Sequence, residues 1–211
     1  MAMPPAAKIT KEMILHTVLD LTREAGFDTV NARSIAGRLQ CSTRPLFTCY
    51  ESMDDLKTDF LAFAYRFYEQ YVERYRDSGP VSPCLVLPLA YLAFAREEPH
   101  LFQLLFISDM DLKMAKAQDF YHEADNEAHA QAFSESTGVE LARAKVIFLD
   151  LFLYTHGMAV LTAAKKLSLE RHSAETMLTN FLTAFIRQEK PGWNLPRGEE
   201  RFSASEQRSA L

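Results

Sequence analysis

Residues 31–50, NARSIAGRLQCSTRPLFTCY, carry three arginines and no carboxylate, in a 211-residue chain whose formal net charge is −5. The chemistry open to such a stretch is recognition of a polyanion. The Arg44 guanidinium can bond the O6 and N7 of one guanine together, and the hydroxyls of Ser42, Thr43 and Thr48 suit shorter contacts to bases or phosphate oxygens. Arg33 suits a phosphate or a flanking base, and helix starts at Asn31 and Ser52 would attract phosphate through their backbone N–H groups. Catalysis has less to build on. His156 could act only with Asp150 or Tyr154, and the sequence holds no evident nucleophile–base set and no phosphate-cradling glycine loop. His122 and His129 lie seven apart with Asp125 between them, a spacing that a solvated helix face explains better than a metal site, so no metal and no cofactor are expected.

Acid-free windows also occur at 78–96 and 151–169, but those are apolar and read as core, whereas 31–50 is polar and positive. On charge and periodicity alone, a DNA-binding unit and an ordinary three-helix packing unit with a solvated basic face stand side by side.

The elements that must position these residues read as helices throughout. A first helix is expected from Thr10 to Ala25, capped by Thr10, with Ile14, Val18, Leu21 and Ala25 as its apolar stripe and Gly26 as its stop. Asn31 caps a second helix, Ala32–Leu39, with Ile35, Ala36 and Leu39 inward. Ser42 caps a third, Thr43–Tyr50, with Pro45 in the first turn, where a missing N–H costs little. A fourth opens at Ser52, with Asp55 at capping-box spacing, and runs to Asp77 before the Ser78-Gly79-Pro80 break. Residues 83–98, 100–107, 111–136, 140–167 and 173–188 also read as helices, with Pro88 expected to kink or shorten the first of them. The tail from 191 to 211 lacks apolar periodicity and is expected to be mobile.

Composition points the same way. Hydrophobic residues make up 48% of the chain, and only 7 glycines and 9 prolines interrupt it, which fits a helical globular protein. Three scattered cysteines form no pairable framework, so a cytoplasmic location is expected. The window Val146–Ala164 approaches the length of a membrane span, but Asp150 and His156 lie inside it and mark it as a buried helix; no membrane partner is expected.

The segments GFDTVNARSIA (26–36) and CSTRPLFTCYESMDDL (41–56) closely resemble the signature of the TetR family of bacterial transcriptional regulators. The resemblance covers residues 10–60. It lies in the pair Gly26-Phe27, the pair Ile35-Ala36 and the recognition-helix positions Ser42, Leu46, Phe47 and Tyr50. It implies an all-α protein: a helix-turn-helix DNA-binding domain over 8–57, and a helical ligand-binding and dimerisation domain over 58–190. The DNA-facing set it implies is Asn31, Arg33, Ser42, Thr43, Arg44, Phe47, Thr48 and Tyr50. Three positions depart from the family's pattern: Gln40 stands where glycine is usual in the turn, Met53 replaces a phosphate-contacting lysine, and Arg44 replaces a small residue. Lys57, one turn on, is taken as the substitute for that lysine.

The resemblance further implies a homodimer on a pseudo-palindromic double-stranded DNA operator, acting as a repressor released by a small, largely apolar effector. The effector site is expected among Tyr91, Phe94, Phe102, Phe106, Met114, Phe120, Phe148, Phe152 and His156, for each of which an aromatic core is the competing explanation. Tyr154-Thr155-His156-Gly157 also looks like a motif of one branch of these regulatory domains. The dimer interface is expected from Val146 and Leu153 on one helix and Met177, Leu178, Phe181, Leu182 and Phe185 on the next. The alternative is a small-molecule-binding helical protein whose DNA head is inactive, which Met53 and Gln40 motivate.

Overall fold

The computed structural model describes residues 9–110, 114–122 and 124–198, and among them there is no strand. The helices are α1 (Lys11–Ala25), α2 (Ala32–Arg38), α3 (Arg44–Cys49), α4 (Met53–Asp77), α5 (Pro83–Glu97), α6 (Pro99–Gln103), α7 (Ala124–Thr137), α8 (Leu141–Ala163) and α9 (Arg171–Glu189). A π-helical turn, Leu104–Ser108, extends α6, and short 3₁₀ turns cover Phe27–Thr29 and Ala117–His122.

The chain divides into two compact units. One runs as far as Tyr68 and takes in Glu98–Met110; the other holds Glu69–Glu97 and the chain from Asp111 onward. The division falls inside α4, which therefore belongs to both.

In the first unit Ile14, Val18, Ile35, Leu46, Leu56 and Phe60 form the buried core. Thr10 caps α1 by accepting from the Met13 N–H at 3.2 Å. The buried face of α1 is Ile14, Thr17, Val18, Leu19 and Thr22; Ala25 is exposed and Leu21 only half-buried, so the expected stripe is rotated toward Thr17 and Leu19. Gly26 ends α1 at φ +84°, a conformation that glycine reaches without a Cβ penalty. Asn31 accepts from the N–H groups of Arg33 and Ser34, both at 3.0 Å, while the Ser34 hydroxyl accepts from the Asn31 N–H at 2.9 Å, a reciprocal cap. α3 begins later than expected. Thr43 occupies its cap position with no side-chain capping bond, so Ser42 does not cap it, while Pro45 sits in the first turn. Ser52 accepts from the Asp55 N–H at 3.1 Å and starts α4.

The turn after α2 is a Schellman motif: Cys41 N–H bonds Ala36 C=O at 3.0 Å and Gln40 N–H bonds Gly37 C=O at 3.2 Å. Gln40 itself sits at φ +52°, where an L side chain is strained by roughly 1–2 kcal/mol. Gln40→Gly should therefore raise stability by about 0.5–1 kcal/mol, after allowance for the freer unfolded chain. Urea denaturation checks this, and an unchanged or lower midpoint contradicts it.

In the second unit α8 packs against α5, α7 and α9, and α5 also meets α9. α5 is buried nearly all round from Cys84 to Ala95 and runs through Pro88 without being shortened, because burial of the whole helix offsets the lost backbone bond. The expected 111–136 helix is instead a 3₁₀ turn and α7, with 111–113 and 123 outside the described residues. After α9 the chain packs back at Trp193, which is buried and whose carbonyl accepts from Arg187 Nε at 3.0 Å; residues 199–211, the rest of the tail expected to be mobile, lie outside the described residues. Lys190 Nζ donates to the Gly138 carbonyl at 3.2 Å, just past the end of α7. α8 is long and apolar enough to cross a membrane by length and composition, but 39% of its most apolar stretch is buried within the protein.

Candidate nucleic-acid interface

The helix-turn-helix consists of α2, the turn Leu39–Thr43 and α3. Its apolar side is closed by Ile35, Ala36, Leu46 and Tyr50, all buried. Its open side carries Asn31, Arg33, Ser42, Arg44, Phe47 and Thr48, all exposed, with Thr43 half-buried. Phe47 is 51% exposed, unusual for so large an apolar side chain. The Thr48 hydroxyl bonds back to the Arg44 carbonyl at 3.0 Å, and Asn31 is occupied in capping α2.

The three arginines have different fates. Arg38 forms a double ion pair with Glu24 on α1, at 3.0 and 2.5 Å, which neutralises it and ties α2 to α1. Among the described residues neither Arg33 nor Arg44 pairs with a carboxylate. The positive charge that the open side offers is therefore the pair Arg33 and Arg44.

Two expected DNA contacts do not lie on this face. Tyr50 is interior, under the Lys11 ammonium at 4.5 Å from its ring centre; burial, helped by the Asp59 carboxylate, pushes its phenol up to about 12. Lys57 lies on α4, half-buried, its ammonium 2.6 Å from Asp109 and 5.7 Å from the centre of the Phe27 ring. In the free chain the Lys57 ammonium is thus occupied by Asp109.

Sequence reasoning missed Glu24, the neutralising partner of Arg38, and Glu98, the buried carboxylate that Arg23 grips at 2.8 and 2.6 Å. Nothing local marks either pair, since their members are 14 and 75 residues apart. Ser34 was discoverable, because it stands at capping-box spacing from Asn31.

The expected effector residues divide between the units. Phe102 and Phe106 belong to the first, where they pack at 5.4 Å and Phe106 meets Tyr68 edge-on at 4.9 Å. In the second unit Phe94 packs edge-on against Tyr71, and Met114 is exposed. The remainder gather around one polar pair: Tyr91 Oη lies 2.9 Å from His156 Nδ1. Phe152 stacks on His156 at 5.6 Å and on Phe120 at 4.8 Å, and Phe148 lies 6.2 Å from Phe120.

Burial lowers the His156 pKa from its ordinary 6.5, so the neutral ring, hydrogen-bonded through Nδ1 to the Tyr91 hydroxyl, is the folded form near neutral pH. The unfolded chain takes this proton at a higher pH than the folded one. Stability from this source is therefore complete above 6.5 and is lost as pH falls toward the lowered folded value. Urea denaturation at about pH 7.5 and about pH 5 should show a smaller loss for His156→Gln than for the wild type. Equal losses would contradict this account of His156.

On α8, Val146, Leu153 and Leu161 are 47, 49 and 49% exposed and recur at spacings of seven and eight, forming one outward stripe. Met177, Phe181 and Phe185 on α9 are half-buried, with Tyr154 stacked on Phe181 at 5.0 Å and Phe181 on Phe185 at 4.5 Å. Leu178 and Leu182 are fully buried in the core of their own unit and cannot serve an interface, a correction that follows from α9 being apolar on two faces. Among the described residues no group of three or more His, Cys, Asp or Glu side chains is placed to hold a metal ion.

No protein-family model and no curated protein matches the chain. Solved structures do. A transcriptional regulator of the TetR/AcrR family from Aquifex aeolicus VF5 superposes with a TM-score of 0.52 at 17% identity, covering 82% of this chain and 98% of its own. A TetR-like transcriptional regulator from Rhodococcus sp. RHA1 superposes with a TM-score of 0.54 at 18% identity, covering 90% and 100%. At these identities the likeness is one of fold: this chain has the all-α architecture of TetR-like regulators.

Proposed function

We propose that the protein is a TetR/AcrR-type transcriptional regulator, a cytoplasmic homodimer that represses by binding a pseudo-palindromic operator. The observation that carries this reading is the open face of α2 and α3, where Arg33 and Arg44 have no carboxylate partner among the described residues and Phe47 is half exposed. In a protein of net charge −5, two guanidiniums that no described carboxylate pairs, beside a short, externally presented helix, are best explained by an anionic partner.

In this reading α3 enters the major groove. Arg44 opens that helix and meets a base edge, with Phe47 one turn on against an apolar surface such as a thymine methyl. Arg33, near the start of α2, fixes register on the phosphates. Two heads related by the outward stripe of α8 and the flank of α9 reach successive major grooves, about 34–36 Å apart. The effector binds at the Tyr91–His156 pair and its aromatic neighbours. It favours whichever state of the dimer holds it better, and release follows if that state cannot span both half-sites.

Fluorescence anisotropy on fragments recovered by binding selection tests this reading. It expects saturable, sequence-dependent binding that weakens as salt rises. Sequence-independent binding, or none, overturns it in favour of an effector-binding protein with an inactive head. Arg44→Ala should cost about 1–3 kcal/mol on the selected site and relax preference at one base pair. Equal weakening on all sequences would make Arg44 a phosphate contact instead.

A further inference from the structure

A cleft of about 160 Å³ opens in the second unit, away from Tyr91 and His156, where the end of α4, the last turns of α5, the end of α8 and the start of α9 meet. Leu89, Leu92 and Leu169 are among its apolar lining, and two arginines line it as well. Arg96 comes from the last turn of α5 and is held by Glu97 at 2.7 Å. The other oxygen of Glu97 accepts from Tyr71 Oη at 2.7 Å, so that carboxylate is fully engaged. Arg171 opens α9 and lies 5.3 Å from the centre of the Tyr75 ring, with no carboxylate partner among the described residues. Glu175, one turn along α9, bears on the Tyr75 phenol but does not line the cleft. The lining thus carries one positive charge in excess, with the Arg171 guanidinium close to the Tyr75 ring.

Size and chemistry narrow the occupant. A dry cavity of about 150 Å³ accommodates one benzene ring. Apolar lining beside two guanidiniums suits a molecule with one ring's worth of apolar body and a single carboxylate, which a guanidinium can hold through two parallel N–H···O bonds. We propose that this cleft binds a small aromatic carboxylate. Arg171 takes the charge, Arg96 borders it, and the ring rests against Leu92 and Leu169. The proposal does not depend on the DNA-binding reading, and the cleft shares no residue with the Tyr91–His156 cluster.

Calorimetric titration of the full chain with benzoate tests it. The expected result is saturable binding of one molecule per chain, with benzamide and acetate each at least about tenfold weaker, since one lacks the charge and the other the ring. Arg171→Gln should weaken benzoate at least about tenfold, while Tyr91→Phe should leave it unchanged. The proposal fails if benzoate does not saturate below about 10 mM, if benzamide binds as well, or if Tyr91→Phe abolishes binding. It fails equally if folded Arg171→Gln binds as the wild type does; the benzamide comparison needs no variant.

Discussion

Leu153→Asp is expected to convert the proposed dimer to monomers and to weaken binding to the proposed operator at least about a hundredfold. Leu153 lies between Val146 and Leu161 on the exposed stripe of α8, and half of its side chain meets water in the single chain. An aspartate there changes the stability of one chain little, by about 0.5 kcal/mol or less, as surface substitutions do. In a symmetric interface centred on that apolar stripe it places two carboxylates against apolar surface, which costs several kcal/mol. Loss of the second head then removes the effective concentration that joins the two half-site contacts. Sedimentation equilibrium and anisotropy check both effects. A Leu153→Asp protein that remains dimeric would show that the stripe is not the interface.

Phe60→Ala is expected to destabilise the first unit by about 3–5 kcal/mol. The ring is fully buried and lies nearly parallel to Phe27, with centroids 5.6 Å apart and planes 9° from each other. It anchors the turn after α1 to α4, beside the core formed by Ile14, Val18 and Leu56. A loss of that size is a large part of the 5–15 kcal/mol typical of a folded domain, so DNA affinity should fall with the folded fraction. Phe60→Leu keeps most of the volume and should cost no more than about 1.5 kcal/mol. Chemical denaturation measures both, and equal losses for Ala and Leu would contradict a packing role for the ring.

Much of the head was legible in the sequence because its signals are local. Thr10, Gly26 and Asn31 act at caps whose chemistry lies within a few residues, and Pro45 falls in a first turn as its missing N–H requires. Ser42 was assigned a cap that Thr43 occupies, since two adjacent hydroxyl residues satisfy the same local rule. Charge was harder to read. Arg38 and Lys57 looked as available as Arg44, but Glu24 and Asp109 reach them only through tertiary packing. Tyr50 was legible as a motif position, although nothing in its spacing distinguishes a buried phenol from one facing DNA.

The second unit was less legible because several of its helices are apolar on more than one side. On α9 the stripe Met177, Leu178, Phe181, Leu182 and Phe185 contains both a buried edge and a flank, and periodicity does not say which faces inward. On α8 the reverse holds: an almost uniformly apolar helix leaves Val146, Leu153 and Leu161 uncovered. The effector residues were chosen by type, and folding sorted them into separate clusters. Only Tyr91, Phe120, Phe148, Phe152 and His156 gather around one polar pair.

The central claim is that α3 reads a two-fold operator, and hydroxyl-radical footprinting on a selected DNA fragment tests it most directly. The account predicts two protected half-sites of related, inverted sequence, centred about one helical turn or a multiple of it apart, with protection fading as salt rises. It also predicts that Arg44→Ala weakens protection of the selected fragment while leaving binding to unrelated DNA unchanged. Uniform protection along every fragment, or none at any protein concentration up to saturation, would contradict it.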